Sequence, residues 1–201
     1  MDLARNKGGS VVEVHEPPST YAEYCILNAD TPRYEILEGV GYMTPSPGGR
    51  HQLVIGNLWH RMYQYAAAAG LGRVFVAPYD VVLSEKDVVQ PDVFYISRER
   101  IAMVRERAVF GAPDLAVEIL SPSSLKRDFR QKLALYEQYG IREYWIVDIA
   151  NRSIDVWTGT GAAFGNRRLA TGDVTVNSVV LTGFTVALAD IFEGVDDIPL
   201  D

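Results

Sequence analysis

The sequence predicts an α/β fold with a mixed central sheet flanked by helices, and three observations lead to this prediction. Apolar residues recur at helical spacing between residues 50 and 69, and again between residues 123 and 139. Apolar runs typical of strands lie between and after these two helices. The first strands have short connections that favour antiparallel pairing, whereas the helix at 123–139 provides the crossover that a parallel neighbour needs.

The residues before the first long helix predict a short N-terminal helix and a hairpin. Ser19 or Thr20 can cap the short helix, because a hydroxyl oxygen accepts a hydrogen bond from a free amide of the first turn. Residues 34–44 are typical of a hairpin with its turn near Glu38. The long helix at 50–69 follows after a segment rich in proline and glycine.

Apolar runs in the rest of the chain predict five further strands. We expect them at residues 74–84, 92–97, 114–121, 144–149 and 153–159. The run at 114–121 is apolar on both faces except for Glu118, which is typical of a central strand. Residues 98–107 are expected to form a short helix or a loop. Weaker patterns after residue 159 predict additional C-terminal strands.

Length and composition predict one domain. The chain has 201 residues, of which 48% are hydrophobic, and this is enough for a core. We expect the domain to span residues 19–195, between a loose arm at 1–18 and an acidic tail at 196–201. A single cysteine, Cys25, excludes an internal disulfide and a cysteine-based zinc site, which fits a cytoplasmic protein. No apolar run is long enough for a membrane span or a signal peptide.

Two carboxylates occur within or beside apolar strands. Glu118 lies inside LAVEIL, and Asp92 directly precedes VFYI. A carboxylate in such a place is destabilising unless a cation, a proton or a hydrogen-bond donor compensates it. If the two strands pair, both acids could meet at one end of the sheet. Together with a backbone carbonyl they would form a hard oxygen site suited to Mg²⁺ or Mn²⁺.

A lysine on the next helix would suit such a site for phosphodiester hydrolysis. The metal would polarise a phosphate oxygen, and the lysine would stabilise negative charge in the transition state. Lys132 lies four residues after Asp128 and shares its helical face, while Lys126 lies in the first turn. Two structural interpretations compete with this one. Glu118 could be a buried acid paired with Lys132 or Arg127, and Lys132 could form an ion pair with Asp128.

Several longer segments occur together in the order found in a known family. They read YEILEG, RHQLVIGNL, QPDVFYIS, GAPDLAVEILSPSS, LYEQYGIREYWIVD and LTGFTVALADIF. On these segments the chain resembles the Uma family of the PD-(D/E)XK nuclease superfamily, over about residues 20–193. The resemblance implies a restriction-endonuclease-like core and metal-dependent cleavage of nucleic acid, with Mg²⁺ as the cofactor and Mn²⁺ as its substitute.

The resemblance also implies roles for individual residues. Asp92 matches the motif aspartate and Glu118 the motif glutamate, so both are implied catalytic residues and metal ligands. Leu120 stands where the (D/E)XK pattern has lysine. In similar proteins the lysine has moved to the following helix, which implies Lys132 as the catalytic lysine here. Val40 stands where the hairpin of similar sequences carries an acid, so that acid has no counterpart in this chain.

Three further residues are secondary candidates. His51 matches a family position and could contact a phosphate or a water, although a helix-capping or structural role is the competing interpretation. Gln90 also matches and could approach the metal-bound water, or form a hydrogen bond at the end of a strand. Lys126 is the next candidate if Lys132 is not the catalytic lysine.

Two function classes remain open from the sequence. The first is a metal-dependent endonuclease that acts on nucleic acid, with DNA preferred over RNA as the expected substrate. The second is a nucleic-acid-binding or regulatory protein that keeps the nuclease fold and has little activity. The net charge of −7 and the displaced lysine favour the second class, because proteins that bind nucleic acid broadly are usually basic. The retained Asp92, Glu118 and Lys132 favour the first.

The expected partners are nucleic acid and a second copy of the chain. No interaction with a membrane is expected. A homodimer is predicted because one active site per chain cleaves both strands of a duplex most simply as a two-fold pair. The apolar C-terminal half offers Trp157, Phe164 and Phe184 as candidate surface residues.

Overall fold

Two large β-sheets, a two-stranded sheet of residues 175–177 and 185–187, and helices packed on them form the framework of the protein. The computed structural model describes residues 16–27, 32–120, 127–161 and 163–200. The α-helices are α1 (Tyr21–Cys25), α2 (Gly49–Ala68), α3 (Arg127–Gln138) and α4 (Leu188–Ile191). The strands are β1 (Tyr34–Leu37), β2 (Val40–Met43), β3 (Gly72–Val76), β4 (Asp80–Ser84), β5 (Asp87–Val89), β6 (Val93–Ser97), β7 (Ala108–Phe110), β8 (Leu115–Leu120), β9 (Glu143–Asp148), β10 (Ser153–Gly159), β11 (Phe164–Thr171), β12 (Thr175–Asn177) and β13 (Thr185–Ala187). Short 3₁₀ helices span Arg98–Met103 and Val195–Asp197. The α/β class predicted from the sequence is confirmed.

The larger sheet has six strands in the order β11-β10-β9-β8-β6-β3. Strands β8 and β9 are parallel and α3 lies between them in the chain, whereas the other neighbours are antiparallel. The sheet is therefore mixed, and β8 is one of its central strands, as predicted. Val93 of β6 pairs with Val117 of β8, and one more step along this register sets Asp92 opposite Glu118.

The smaller sheet has five strands in the order β2-β1-β5-β4-β7. Its first two strands form the predicted hairpin. Glu38 and Gly39 at the turn have φ angles of 53° and 76°, and two positive φ angles are typical of the tight turn that connects twisted antiparallel strands. This sheet brings the N-terminal part of the chain next to the larger sheet, because β5 leads directly into β6.

The prediction of one strand at residues 74–84 is wrong. The chain forms β3 in the larger sheet and then β4 in the smaller sheet. Pro78 lies between them, and a proline has no amide hydrogen for a ladder bond, which weakens strand pairing at this point. The sequence reasoning also missed β5 and β7, which have only three residues each.

The hydrophobic core lies on both faces of the larger sheet. Val93 and Tyr95 of β6 belong to the cluster that includes Leu58 of α2. Phe94, between them in the sequence, belongs to the cluster that includes Tyr136 of α3 and residues of the smaller sheet. Successive side chains of a strand point to opposite faces, so β6 contributes to both layers. Helix α2 therefore covers one face, and α3 with the smaller sheet covers the other.

The aromatic residues proposed for a dimer surface differ in their exposure. Phe184 is only 2% exposed and belongs to the cluster on the α2 side, so its assignment to a surface is wrong. Trp157 and Phe164 are half-buried, and the guanidinium carbon of Arg167 lies 5.1 Å from the centre of the Trp157 ring. The wrong assignment has a simple cause, since the late aromatic residues have no periodic pattern that distinguishes core from surface.

Residues near the two predicted ends of the domain pack onto it. Pro18 is buried, and a Cβ atom placed on Gly41 would lie 2.4 Å from the Pro18 carbonyl oxygen, so the chain runs closely along the hairpin there. At the other end, Arg50 Nε donates a hydrogen bond to the Ile198 carbonyl at 2.7 Å. Residues 1–15 of the predicted arm lie outside the described residues. The domain boundaries stay a prediction.

No helix in the parts of the chain that the structure describes is both long enough and apolar enough to cross a membrane.

Candidate functional site

A cleft of about 700 Å³ lies between the two sheets and the start of α2. Polar side chains from both sheets and from two helices line it: Glu35, His51, Gln90, Asp92, Glu118 and Lys132. Five of these six residues are candidates from the sequence, and Glu35 is not. The fold therefore brings most of the predicted site residues to one place, although they are spread between residues 51 and 132 of the chain.

Asp92 and Glu118 lie side by side at the end of the β6–β8 pair. The Asp92 carboxylate Oδ2 accepts a hydrogen bond from the Ile119 amide at 2.7 Å, so Asp92 is anchored to the strand that carries Glu118. Glu118 is only 8% exposed. The strand register predicts this proximity, because neighbouring strands place opposite residues within a few ångströms.

Lys132 reaches the same site from α3. Its Nζ lies 2.9 Å from Glu118 Oε1 and 2.9 Å from Glu35 Oε1, and the residue is 3% exposed. Tyr136, one turn further along α3, donates a hydrogen bond from its hydroxyl to Glu118 Oε1 at 2.7 Å. The helix therefore presents both side chains to one carboxylate, as the spacing of four residues predicts. The side chain of Asp128 lies outside the described residues, and so does Lys126.

The electrostatic balance of this cluster favours a proton on Glu118. Burial raises the pKa of Glu118, Lys132 lowers it, and the charges of Asp92 and Glu35 raise it again, with a resulting value of about 8. One ammonium group is shared between two acids, so it does not fully offset the loss of hydration. The cleft therefore carries more acid than its lysine neutralises.

His51 contacts the other side of the same acids. It is the third residue of α2, and its Nε2 lies 3.2 Å from Asp92 Oδ2 and 3.0 Å from the Ile119 carbonyl oxygen. Burial lowers the pKa of His51, but the hydrogen bond and the charge of Asp92, together with the hydrogen bond to the Ile119 carbonyl, outweigh burial, so the pKa is raised overall. The residue before α2 is Gly48, which makes no side-chain cap, so His51 does not act as the helix cap.

Gln90 links the smaller sheet to the cleft. Its backbone amide donates a hydrogen bond to Glu35 Oε1 at 2.7 Å. Its side-chain Nε2 donates hydrogen bonds to Asp80 Oδ1 at 2.8 Å and to the Tyr24 hydroxyl at 3.3 Å. These contacts fit the structural interpretation of Gln90. Its Oε1 atom, however, is buried and has no hydrogen-bond partner among the described residues, so this residue of the cleft lining has one unsatisfied acceptor.

Glu35 is the site residue that the sequence reasoning missed. It lies in YEIL, where the other three residues are apolar or aromatic, and all four residues of β1 are buried. An acid within an apolar strand is the signal that identified Glu118, and it applies to Glu35 as well. In a short hairpin strand, however, an acid usually faces solvent, so the sequence alone does not identify Glu35 as a buried residue of the site.

The donor atoms at the cleft fit a hard cation. Asp92 and Glu118 supply carboxylate oxygens and Ile119 supplies a carbonyl oxygen, which are the donors that a hard cation prefers once Glu118 has lost its proton. No cluster of three or more His, Cys, Asp or Glu side chains that could hold an ion is found in the described ranges. Water and substrate oxygens would therefore have to complete the coordination, as is usual for Mg²⁺.

Comparisons with known proteins agree with the fold and with the family resemblance. A family model described as "Uma2: Putative restriction endonuclease" matches residues 18–189. A crystal structure described as a putative nuclease belonging to DUF820 from Anabaena variabilis has a TM-score of 0.75 at 18% sequence identity, covering 89% of this chain and 99% of that chain. A comparison with curated proteins finds no match. Because the family model spans most of the sequence and the fold agrees, this chain belongs to the Uma2 family.

Proposed function

We propose that this protein is a metal-dependent endonuclease that hydrolyses phosphodiester bonds in nucleic acid, with DNA as the preferred substrate over RNA. One observation carries the proposal: Asp92, directly before β6, and Glu118, on the neighbouring β8, line one cleft, and Lys132 lies 2.9 Å from the glutamate. The family description as a restriction endonuclease supports both the reaction and the choice of DNA. The similar structure described as a nuclease supports the reaction class.

Each residue has a distinct role in this proposal. Asp92, Glu118 and the Ile119 carbonyl would hold Mg²⁺, or Mn²⁺ in its place. The bound cation would polarise the scissile phosphate and lower the pKa of a water. Lys132 would offset the negative charge that develops on the phosphate, and the Tyr136 hydroxyl would orient the Glu118 carboxylate.

The secondary candidates have supporting roles. His51 would hold the Asp92 carboxylate and the Ile119 carbonyl in place through the contacts of its Nε2. Gln90 would accept a hydrogen bond from a water in the cleft through its free Oε1. Lys126 remains the alternative catalytic lysine.

A catalytically weak nucleic-acid-binding or regulatory protein is the second candidate function. The raised pKa of Glu118, at about 8, favours this candidate, because a carboxyl group that keeps its proton at neutral pH is a poor ligand for a cation. In this case the cleft would be a structural ion-pair cluster that is retained within the fold.

Cleavage of plasmid DNA tests the proposal. We expect the purified protein to cleave plasmid in the presence of Mn²⁺, and we expect Asp92→Asn to lose nearly all Mn²⁺ binding in calorimetry together with cleavage. Asparagine keeps an oxygen for the Ile119 amide but removes the charge that binds the cation. The matched control is Asp155→Asn, which removes the charge of a partly exposed ion pair with Arg167 in the β10–β11 pair and should leave cleavage unchanged.

The outcomes separate the two candidate functions. Full activity of Asp92→Asn would show that the site is wrong. A parent protein that binds DNA or RNA but cleaves neither would favour the second candidate. Cleavage of RNA alone would contradict the preference for DNA.

We also propose that the active protein is a homodimer, because one site per chain cleaves two strands most simply as a two-fold pair. Light scattering at micromolar concentration should then give about twice the chain mass of 22.3 kDa. A mass near that of one chain would contradict this part of the proposal. A cytoplasmic location, where the free and exposed Cys25 would stay reduced, belongs to the same proposal.

A further inference from the structure

Lys132 is held between two carboxylates that belong to different sheets. Its Nζ is 2.9 Å from Oε1 of Glu118, on the larger sheet, and 2.9 Å from Oε1 of Glu35, on the smaller sheet. The side chains of the two acids are equally buried, at 11% exposure each. The position of the ammonium group is therefore defined by both sheets together.

The Glu35 carboxylate has an anchor that does not depend on Lys132. The same Oε1 atom accepts a hydrogen bond from the Gln90 amide at 2.7 Å. Gln90 is in turn bonded to Asp80 and Tyr24, and β1 pairs with β5 immediately before Gln90. Glu35 thus presents a fixed negative charge to the cleft.

In the proposed reaction Glu35 and Glu118 do not have the same part in holding the Lys132 ammonium group. Glu118 has to direct its charge to the cation, and an ammonium group on the same carboxylate competes with that cation. A second fixed acid removes the competition, because it gives the ammonium group another partner. We infer that Glu35 is a positioning residue: its carboxylate holds Lys132 beside the phosphate site while Glu118 binds the cation. This inference rests on the proposed endonuclease function.

Glu35→Gln is the decisive variant. Glutamine has nearly the same shape as glutamate and can still accept a hydrogen bond from the Gln90 backbone amide. The substitution therefore removes the negative charge and little else. We expect kcat to fall roughly 10–100-fold, the usual cost of removing a group that orients a site residue, with KM for DNA nearly unchanged. Mn²⁺ affinity should also fall, because Lys132 then competes for Glu118.

Stability distinguishes positioning from a purely structural role. With both acids ionised, the cluster of Glu35, Glu118 and Lys132 has a net charge of −1, and Glu35→Gln makes it neutral. We therefore expect the midpoint of urea unfolding at a pH above 8, where Glu118 is ionised, to stay the same or rise while kcat falls. A lower midpoint with unchanged kcat would overturn the inference in favour of a structural ion pair.

A double-mutant cycle tests whether Glu35 acts through Lys132. In a Lys132→Met background, Glu35→Gln should change kcat by less than about twofold, because residues that act as one unit are not additive. Asp155→Asn serves as the control and should lower kcat in neither background. Additive losses would overturn the inference and leave the endonuclease function standing. A parent protein that cleaves no nucleic acid would refute the endonuclease function, and the inference with it.

Discussion

Lys132→Met is expected to slow DNA cleavage by roughly 10²–10³-fold, which corresponds to about 2.7–4 kcal/mol of barrier. Methionine keeps most of the aliphatic stem and removes the charge. The loss is expected because a positioned cation in a site with little water stabilises transition-state charge far more than it would in solution. The rate should be measured in single turnover with saturating Mn²⁺ and excess protein, so that changes in the affinity for the metal or for DNA do not alter it.

If Lys132 has only a structural role, it is a buried ion pair with two acids and not the exposed pair with Asp128 that the sequence suggests. An exposed ion pair contributes only about 0–1 kcal/mol to stability, but Lys132 is 3% exposed and contacts two acids. Without the Lys132 charge the two acids have no ammonium partner. One of them can then take up a proton, which reduces the cost of its burial. We therefore expect a folded variant of lower stability, checked by circular dichroism. Cleavage within about threefold of the parent would move the catalytic role elsewhere, with Lys126 as the next candidate.

Glu118→Gln is expected to remove most of the fall in stability that the parent shows as pH rises towards 8. The pKa of Glu118 is raised from 4.5 in a model peptide to about 8 in the folded protein. Between these two values the folded state keeps a proton that the unfolded state has lost. Raising the pH through this window therefore favours unfolding, and the stabilisation is fully present only below about pH 4.5.

The expected size makes this effect measurable. One unit of pKa difference corresponds to about 1.4 kcal/mol, so the fall amounts to several kcal/mol. Urea unfolding without metal at a series of pH values should give a steeper decline for the parent than for Glu118→Gln. Glu193→Gln is the control, because the Glu193 side chain is 72% exposed and should leave the decline unchanged. Parallel curves for the parent and Glu118→Gln would show that Glu118 is ionised at neutral pH.

Buried acids elsewhere in the fold show that burial alone does not identify a site. Glu143 is fully buried, and its carboxylate accepts hydrogen bonds from the Trp145 ring, the Ser178 hydroxyl and the amides of Val179 and Val180. These donors satisfy the carboxylate without any shared cation, which is the usual condition for a buried acid. At the cleft, by contrast, two acids share one lysine and a third lies beside them.

The local pattern of the sequence determined the elements that build the core of the site. The helical spacing of apolar residues predicted α2, the run LAVEIL predicted β8, and SIDVWTG predicted β10 at its observed bounds. The proximity of Asp92 and Glu118 also followed from the sequence, because adjacent strands in a sheet bring opposite residues together. These features depend on period, length and chain order, which neighbouring residues encode.

Only the tertiary structure decided how the second sheet completes the cleft. The break of residues 74–84 into two sheets depends on where the chain turns at Pro78, and β7 is recognisable only by its pairing with β4. Glu35 and Lys132 are separated by 97 positions, and no periodicity connects them. Their contact exists because the smaller sheet and α3 pack on the same face of the larger sheet. Packing of this kind is set by the shape and burial of whole elements, whereas a sequence pattern reports only on residues that are close along the chain.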